Sequence, residues 1–118
     1  VSCASPLTEQ QIHRAVFQHL TARKRQDVFA FHPANGGARS AIEAAIFKGL
    51  GVRAGVPDII AIRSGHCFAL ELKRDSGGRL SGAQQQTHNE MRAAGVTVAV
   101  AYGLDEALGQ LTRWGLLR

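Results

Sequence analysis

Pro57-Asp58 is followed, one hairpin-length run later, by Glu71-Leu72-Lys73. Two acids and a lysine gathered in space can hold a divalent cation and hydrolyse a phosphodiester. The intervening sequence says whether they gather. Apolar runs from Asp58 to Ile62 and from Cys67 to Leu72 flank Ser64-Gly65, the pattern of two strands joined by a tight antiparallel turn. With a two-residue loop Arg63 faces His66, and the same register puts Asp58 across from Glu71. Opposed side chains share a sheet face with Cβ atoms roughly 5 Å apart. Period-two alternation adds Lys73 to that face and turns Phe68, Leu70 and Leu72 toward a core. A slip of one residue would undo the pairing.

Two carboxylates this close repel unless positive charge lies between them. Oxygen ligands select a hard ion, so Mg²⁺ is expected, with Mn²⁺ as a substitute. Lys73 could then hold the attacking water or neutralise charge growing on the phosphate. The same residue types also occur as ordinary surface charge. Against that reading, Glu71 and Lys73 interrupt an otherwise apolar strand at the two positions sharing one face.

The elements that must position these residues follow from caps and periodicity. Thr8 with Gln11, Ser40 with Glu43, and Ser81 with Gln84 each have the spacing of a capping box. They open helices to about Arg23, to Gly49 and to Gly95. A last helix is expected from Leu104 to Trp114, with Asp105 and Glu106 near its positive end. Strands are expected at Val28 to Phe31, in the hairpin, and at Val96 to Tyr102. The order αβαββαβα predicts one α/β domain over residues 1–118, a small mixed sheet flanked by helices.

Lysine and arginine total 14 against 9 acids, a net charge of +5. This balance favours a polyanionic partner such as DNA or RNA. Cys3 and Cys67 have no metal-binding spacing, and a reducing cytosol is the expected compartment. The sequence has no stretch of the ~20 apolar residues a membrane span needs and no signal-peptide pattern; it begins at Val1, as a trimmed chain or a fragment would.

Other residues bear on the chemistry. Glu9, three residues before Ile12, shares the sheet-facing stripe of the first helix and could add a ligand; it equally suits the helix dipole. Gln84 is either a helix cap or a group that places water or substrate, and spacing favours the cap. His32 to Gly37 is a turn whose glycines could approach a phosphate, and His32 could assist a site. His13, His19, His66 and His88 are given no role. Arg39, Lys48, Arg53, Arg74 and Asn35 are candidate DNA-backbone contacts.

Taken together, Asn35-Gly36-Gly37, the run from Gly51 through Gly55-Val56-Pro57-Asp58, Glu71-Leu72-Lys73, and Gly77-Gly78-Arg79-Leu80-Ser81 with Gln84 resemble a virus-type replication-repair nuclease (VRR-NUC) domain of the PD-(D/E)XK superfamily. The resemblance covers about Glu9 to Val100. It implies a restriction-endonuclease-like core and Mg²⁺- or Mn²⁺-dependent DNA cleavage. It also implies a metal held by Asp58, Glu71 and the Leu72 carbonyl, with Lys73 catalytic and Glu9 and Gln84 matching the family's acid and glutamine. Small stand-alone bacterial and phage members, nucleoid-associated by implication, are implied to be homodimers that cut four-way (Holliday) junctions. Gly82-Ala83 departs from the Pro-Glu often found before the glutamine. The expected activity is thus a structure-selective DNA endonuclease. Its alternatives are a flap or duplex nuclease of the same fold and a non-catalytic nucleic-acid-binding module.

Overall fold

A computed structural model describes residues 6–34 and 39–118. The elements are α1 (Glu9–Arg23), β1 (Val28–Phe31), α2 (Ala41–Gly49), β2 (Ile59–Arg63), β3 (His66–Lys73), α3 (Gly82–Ala93), β4 (Thr97–Tyr102) and α4 (Leu104–Arg113). This is the expected order. The sheet runs β1-β2-β3-β4, antiparallel through the first three strands and parallel between β3 and β4.

The β2–β3 turn fixes everything downstream of it. Ser64 and Gly65 have φ of 52° and 76°. Positive φ at both central residues is a type I′ turn, whose twist matches that of the strands it joins. Arg63 therefore pairs with His66 and Ile59 with Leu70, and one step further Asp58 lies opposite Glu71.

Alternation then divides the sheet into two unlike faces. Ile59, Ala61, Leu70, Leu72 and Ala101 pack with Ile12, Val16 and Leu20 of α1 and Ala107 and Leu111 of α4 into the hydrophobic core. The opposite face carries Glu71 and Lys73, with Thr87 and His88 of α3, all buried despite being polar. At the β1–β2 end of that second face Phe29, Phe31 and Ile62 stay exposed.

The helix starts are built as their sequences require. Thr8 with Gln11 and Ser81 with Gln84 form complete capping boxes. At α2 the Ser40 side chain accepts from the Glu43 amide at 3.1 Å, while its hydroxyl donates to the Glu43 carboxylate at 3.0 Å. The α2 helix has no buried residue. Among the described residues, no helix is long and apolar enough to cross a membrane.

The segment leading into Asp58 is clamped onto α3. Thr87 Oγ1 donates to the Ala54 carbonyl at 2.7 Å. Gly55 has φ of +82°, and a Cβ there would meet the Ala83 carbonyl oxygen, lie 2.6 Å from its carbon and 2.8 Å from the Gln84 nitrogen. Only glycine allows both that backbone conformation and that approach. Gly55→Ala is expected to cost at least about 2 kcal/mol of stability, measured by urea unfolding; an unchanged midpoint would show that the loop is not held against α3.

Candidate active site

Asp58 ends the clamped segment and Glu71 lies on the adjacent strand, so both reach the floor of an open cleft of about 690 Å³. Their side chains are in hydrogen-bond contact. Asp58 Oδ2 also accepts from the Leu72 amide at 2.8 Å. In a strand a residue's N–H and C=O point to the same edge, so the Leu72 carbonyl faces this end of the sheet too. The register expected from the hairpin is the register found.

Contact between two carboxyls is possible without a cation only if a proton is held between them. Burial, followed by the hydrogen bond and charge of Asp58, pushes the Glu71 carboxyl up to about 9, with Glu9 adding a smaller push and Lys73 opposing it. The two acids thus hold a proton between them at neutral pH. A divalent cation bound between them would take that proton's place. The donor set, two acid side chains and a peptide carbonyl, fits a hard cation.

His88 completes the arrangement from α3. Its Nε2 lies 3.2 Å from Glu71 Oε1, and the ring is fully buried. Burial, followed by the charges of Arg92 and Lys73, holds its pKa below the usual histidine value. With Glu71 protonated and His88 neutral, this contact is a hydrogen bond between uncharged groups rather than an ion pair. Nε2–H donates to Oε1, while the shared proton lies between Glu71 and Asp58. His88 Nδ1 is then left buried without a partner among the described residues, a place for a bound water.

Lys73 sits on the Glu71 face as alternation requires and is itself buried, at 6% exposure. Its cover is the loop after β3. A Cβ at Gly78 would approach Lys73 Cβ at 3.0 Å. The remaining expected residues are placed as follows. Glu9 shares the α1 stripe of Ile12 and Val16 but stands at the start of the helix, where it is exposed and lines the cleft. Gln84 lines the cleft and is also the cap, its Oε1 accepting from the Ser81 amide at 2.8 Å. With that oxygen engaged, the amide NH₂ is the group left to meet a ligand, and it can only donate.

The expected backbone-contact residues separate. Arg39, Lys48 and Arg53 line a second cavity of about 440 Å³ between α2 and α3, which shares Ala54 and Ala83 with the cleft. There Arg39 lies over the Phe47 ring at 4.1 Å, and Arg53 pairs with Glu90 at 2.7 Å. Arg74 bonds the Gly77 carbonyl within its own loop at 3.3 Å. Asn35 lies outside the described residues.

Two histidines given no role from the sequence are corrected by the structure. His88 bonds Glu71 because the α3 register brings it under β3. His13 lines the cleft near His32 and Asp58, with its pKa lowered first by burial and then by His32. The signal for His13 was its i, i+4 spacing from Glu9, which places both on one helical face.

Solved structures share this fold, among them the following two. One, described as "VRR_NUC domain protein", superposes with a TM-score of 0.78 at 25% identity, covering 94% of this chain and 90% of its own. Another, described as "VRR_NUC domain", gives 0.53 at 18% identity over 91% of this chain and 97% of its own. No family model and no curated protein matches the sequence.

The buried proton carries a measurable consequence. An acid whose folded pKa is raised holds its proton while the unfolded chain has lost it, so stability of the metal-free protein falls as pH rises from about 4.5 to about 9. Glu71→Gln keeps the shape and removes the titration. In EDTA at pH 8 it is expected to melt several degrees higher than the parent, with a flatter pH profile by calorimetry. An equal or lower melting temperature would mean that Glu71 is not held protonated.

Proposed function

We propose that this chain, which has the fold of a VRR-NUC domain, is a divalent-cation-dependent, structure-selective DNA endonuclease that works as a homodimer on branched DNA such as a four-way junction. The observation that carries the reading is the Asp58–Glu71 contact on the cleft floor, stable without a cation only through a trapped proton. A domain that merely bound DNA would gain nothing from buried acids beside phosphates.

Asp58, Glu71 and the Leu72 carbonyl would hold Mg²⁺, or Mn²⁺ in its place. When bound, that cation supplies a polarised phosphate oxygen and a water of lowered pKa. The chain's own groups do the rest. Glu71 gives up its proton on loading, and His88 keeps its carboxylate oriented through the Nε2 contact. Lys73 places a positive charge beside the acids, where it offsets negative charge growing on the phosphate. The Gln84 NH₂ donates to a non-bridging phosphate oxygen, and Glu9 at the cleft rim would add a carboxylate to those that hold the cation. Lys48, Arg39 and Arg53 in the adjoining cavity give the DNA backbone a basic approach to the cleft.

The dimer is argued from uncovered apolar surface. Ile42 and Ile46 of α2 and Leu50 at its C-cap recur every fourth residue and are 76%, 57% and 75% exposed. A nine-residue helix is too short to persist on its own propensity. Phe29, at 64% exposure, lies with Phe31 and Ile62 on the uncovered part of the sheet. A second copy can cover these surfaces reciprocally about a two-fold axis, giving two cleavage centres for two strands.

Asp58→Ala and Lys73→Ala are each expected to reduce cleavage of a labelled four-way junction in Mg²⁺ by at least about a hundredfold, with EDTA abolishing parental activity. Flap and linear duplex substrates run alongside rank the shapes. Binding of junctions without cleavage by the parent in Mg²⁺ would leave a DNA-binding module instead. In a separate measurement, Ile46→Asp should convert a dimeric mass to a monomeric one by light scattering; a dimer that survives it, and also survives Phe29→Asp, would place the interface elsewhere.

A further inference from the structure

Asp58 has a second group of neighbours that the expected cation site does not use. One nitrogen of His13, one of His32 and one carboxylate oxygen of Asp58 lie within 4.8 Å of one another. They come from three separate elements: α1, the residue after β1, and the residue before β2. Edge-to-face packing of the two rings, with centroids 4.4 Å apart, accounts for the histidine pair alone. It does not account for their convergence on an acid.

The hydrogen bonding of His32 supplies an independent observation. Its Nδ1 lies 2.6 Å from the Asp58 backbone carbonyl. A carbonyl only accepts, so Nδ1 carries the hydrogen and Nε2 carries the lone pair. Imidazoles that ligate metals are oriented in this way, the second ring nitrogen donating to a carbonyl or carboxylate. His32 is thus oriented by its Nδ1 bond, and Nε2 has no hydrogen-bond partner among the described residues.

We propose that His13, His32 Nε2 and Asp58 form a second cation site, selective for a borderline transition-metal ion of the zinc class. Two imidazoles and one carboxylate make a three-ligand face with open positions, a donor set that suits Zn²⁺, Co²⁺ or Fe²⁺ and that Mg²⁺ avoids. Asp58 is common to this site and to the oxygen-only site with Glu71. Ions of the two classes therefore occupy neighbouring positions instead of competing for one. The site follows from the geometry of the cleft and stands whether or not the protein cuts DNA.

Cobalt is the probe, added to the full chain without DNA. Co²⁺ on imidazole ligands in four- or five-coordination gives a visible absorption band much stronger than that of Co²⁺ among oxygens alone. The parent is expected to develop this band with one equivalent of Co²⁺ and to keep it in a large excess of Mg²⁺. His13→Ala and His32→Ala should each weaken Co²⁺ binding at least about tenfold, whereas Glu71→Gln should retain the band. His13→Gln replaces His13→Ala if circular dichroism shows the alanine variant unfolded, since His13 stacks on Phe17. No strong band, a band indifferent to both histidine variants, or a band removed by Mg²⁺ or by Glu71→Gln would each overturn the site. Cleavage assays in Mg²⁺ on the same samples keep the two readings apart: inert protein with an intact band sinks the nuclease and leaves the cobalt site standing.

Discussion

The hydrogen-bond contact between Asp58 and Glu71 is the constraint on which the rest of the structure turns. Two acids opposed across a strand pair oppose folding unless a proton or a cation lies between them. The chain accepts this cost and surrounds it with fixed groups. The type I′ turn at Ser64-Gly65 sets the register, the Leu72 amide holds one acid, and His88 holds the other. Gly55 and Thr87 lock the approach to Asp58 against α3. Each contact removes a freedom that would otherwise let the carboxyls swing apart into water.

The two sheet faces divide the labour. The face under α1 and α4 carries the hydrophobic core and supplies stability through burial, with Arg63, His66 and Thr97 at its polar end. The other face gives up part of that gain to seat Glu71, Lys73 and His88 under α3. Low polarity around Glu71 strengthens its interaction with any bound cation for the same reason that it raises the acid's pKa. Stability without metal and affinity for the proposed cation would therefore be set against each other in one side chain.

Much of this was legible in the sequence, because the relevant signals are local. A two-residue loop with glycine second, flanked by alternating apolar runs, fixed the β2–β3 pairing and hence the Asp58–Glu71 opposition. Ser or Thr followed three residues later by Gln marked α1 and α3, and both boxes formed. The same spacing at Ser40 gave a helix start in which the Glu43 carboxylate takes the serine hydroxyl, because an acid three residues on has more than one donor within reach. What could not be read was long-range. His88 meets Glu71 only through the packing of α3 on β3, and His13 meets Asp58 only through the crossing of α1 over the sheet end. Neither rotation is encoded in spacing along the chain. Glu9 shows the same limit, since the stripe it shares with Ile12 turns outward at the first helical turn.

The position of the cleft follows from where helical cover stops. On the second face α3 reaches β3 and β4, while Phe29, Phe31 and Ile62 on β1 and β2 are left open. Asp58 stands at that boundary, with buried neighbours on its Glu71 side and exposed His32 on the other. A phosphate backbone needs such a boundary: it must reach the acids from solvent, yet meet groups whose water has already been removed. Full cover would seal the acids away, and none would leave Glu71 an ordinary ionised surface carboxylate. In the proposed dimer the apolar remainder of this face meets the α2 stripe of a second copy, leaving the cleft mouth and the basic cavity beside it as the entry for DNA. The same surface economy that leaves α2 without a buried residue in its own chain would then tie the geometry of two cleavage centres to the fold of each.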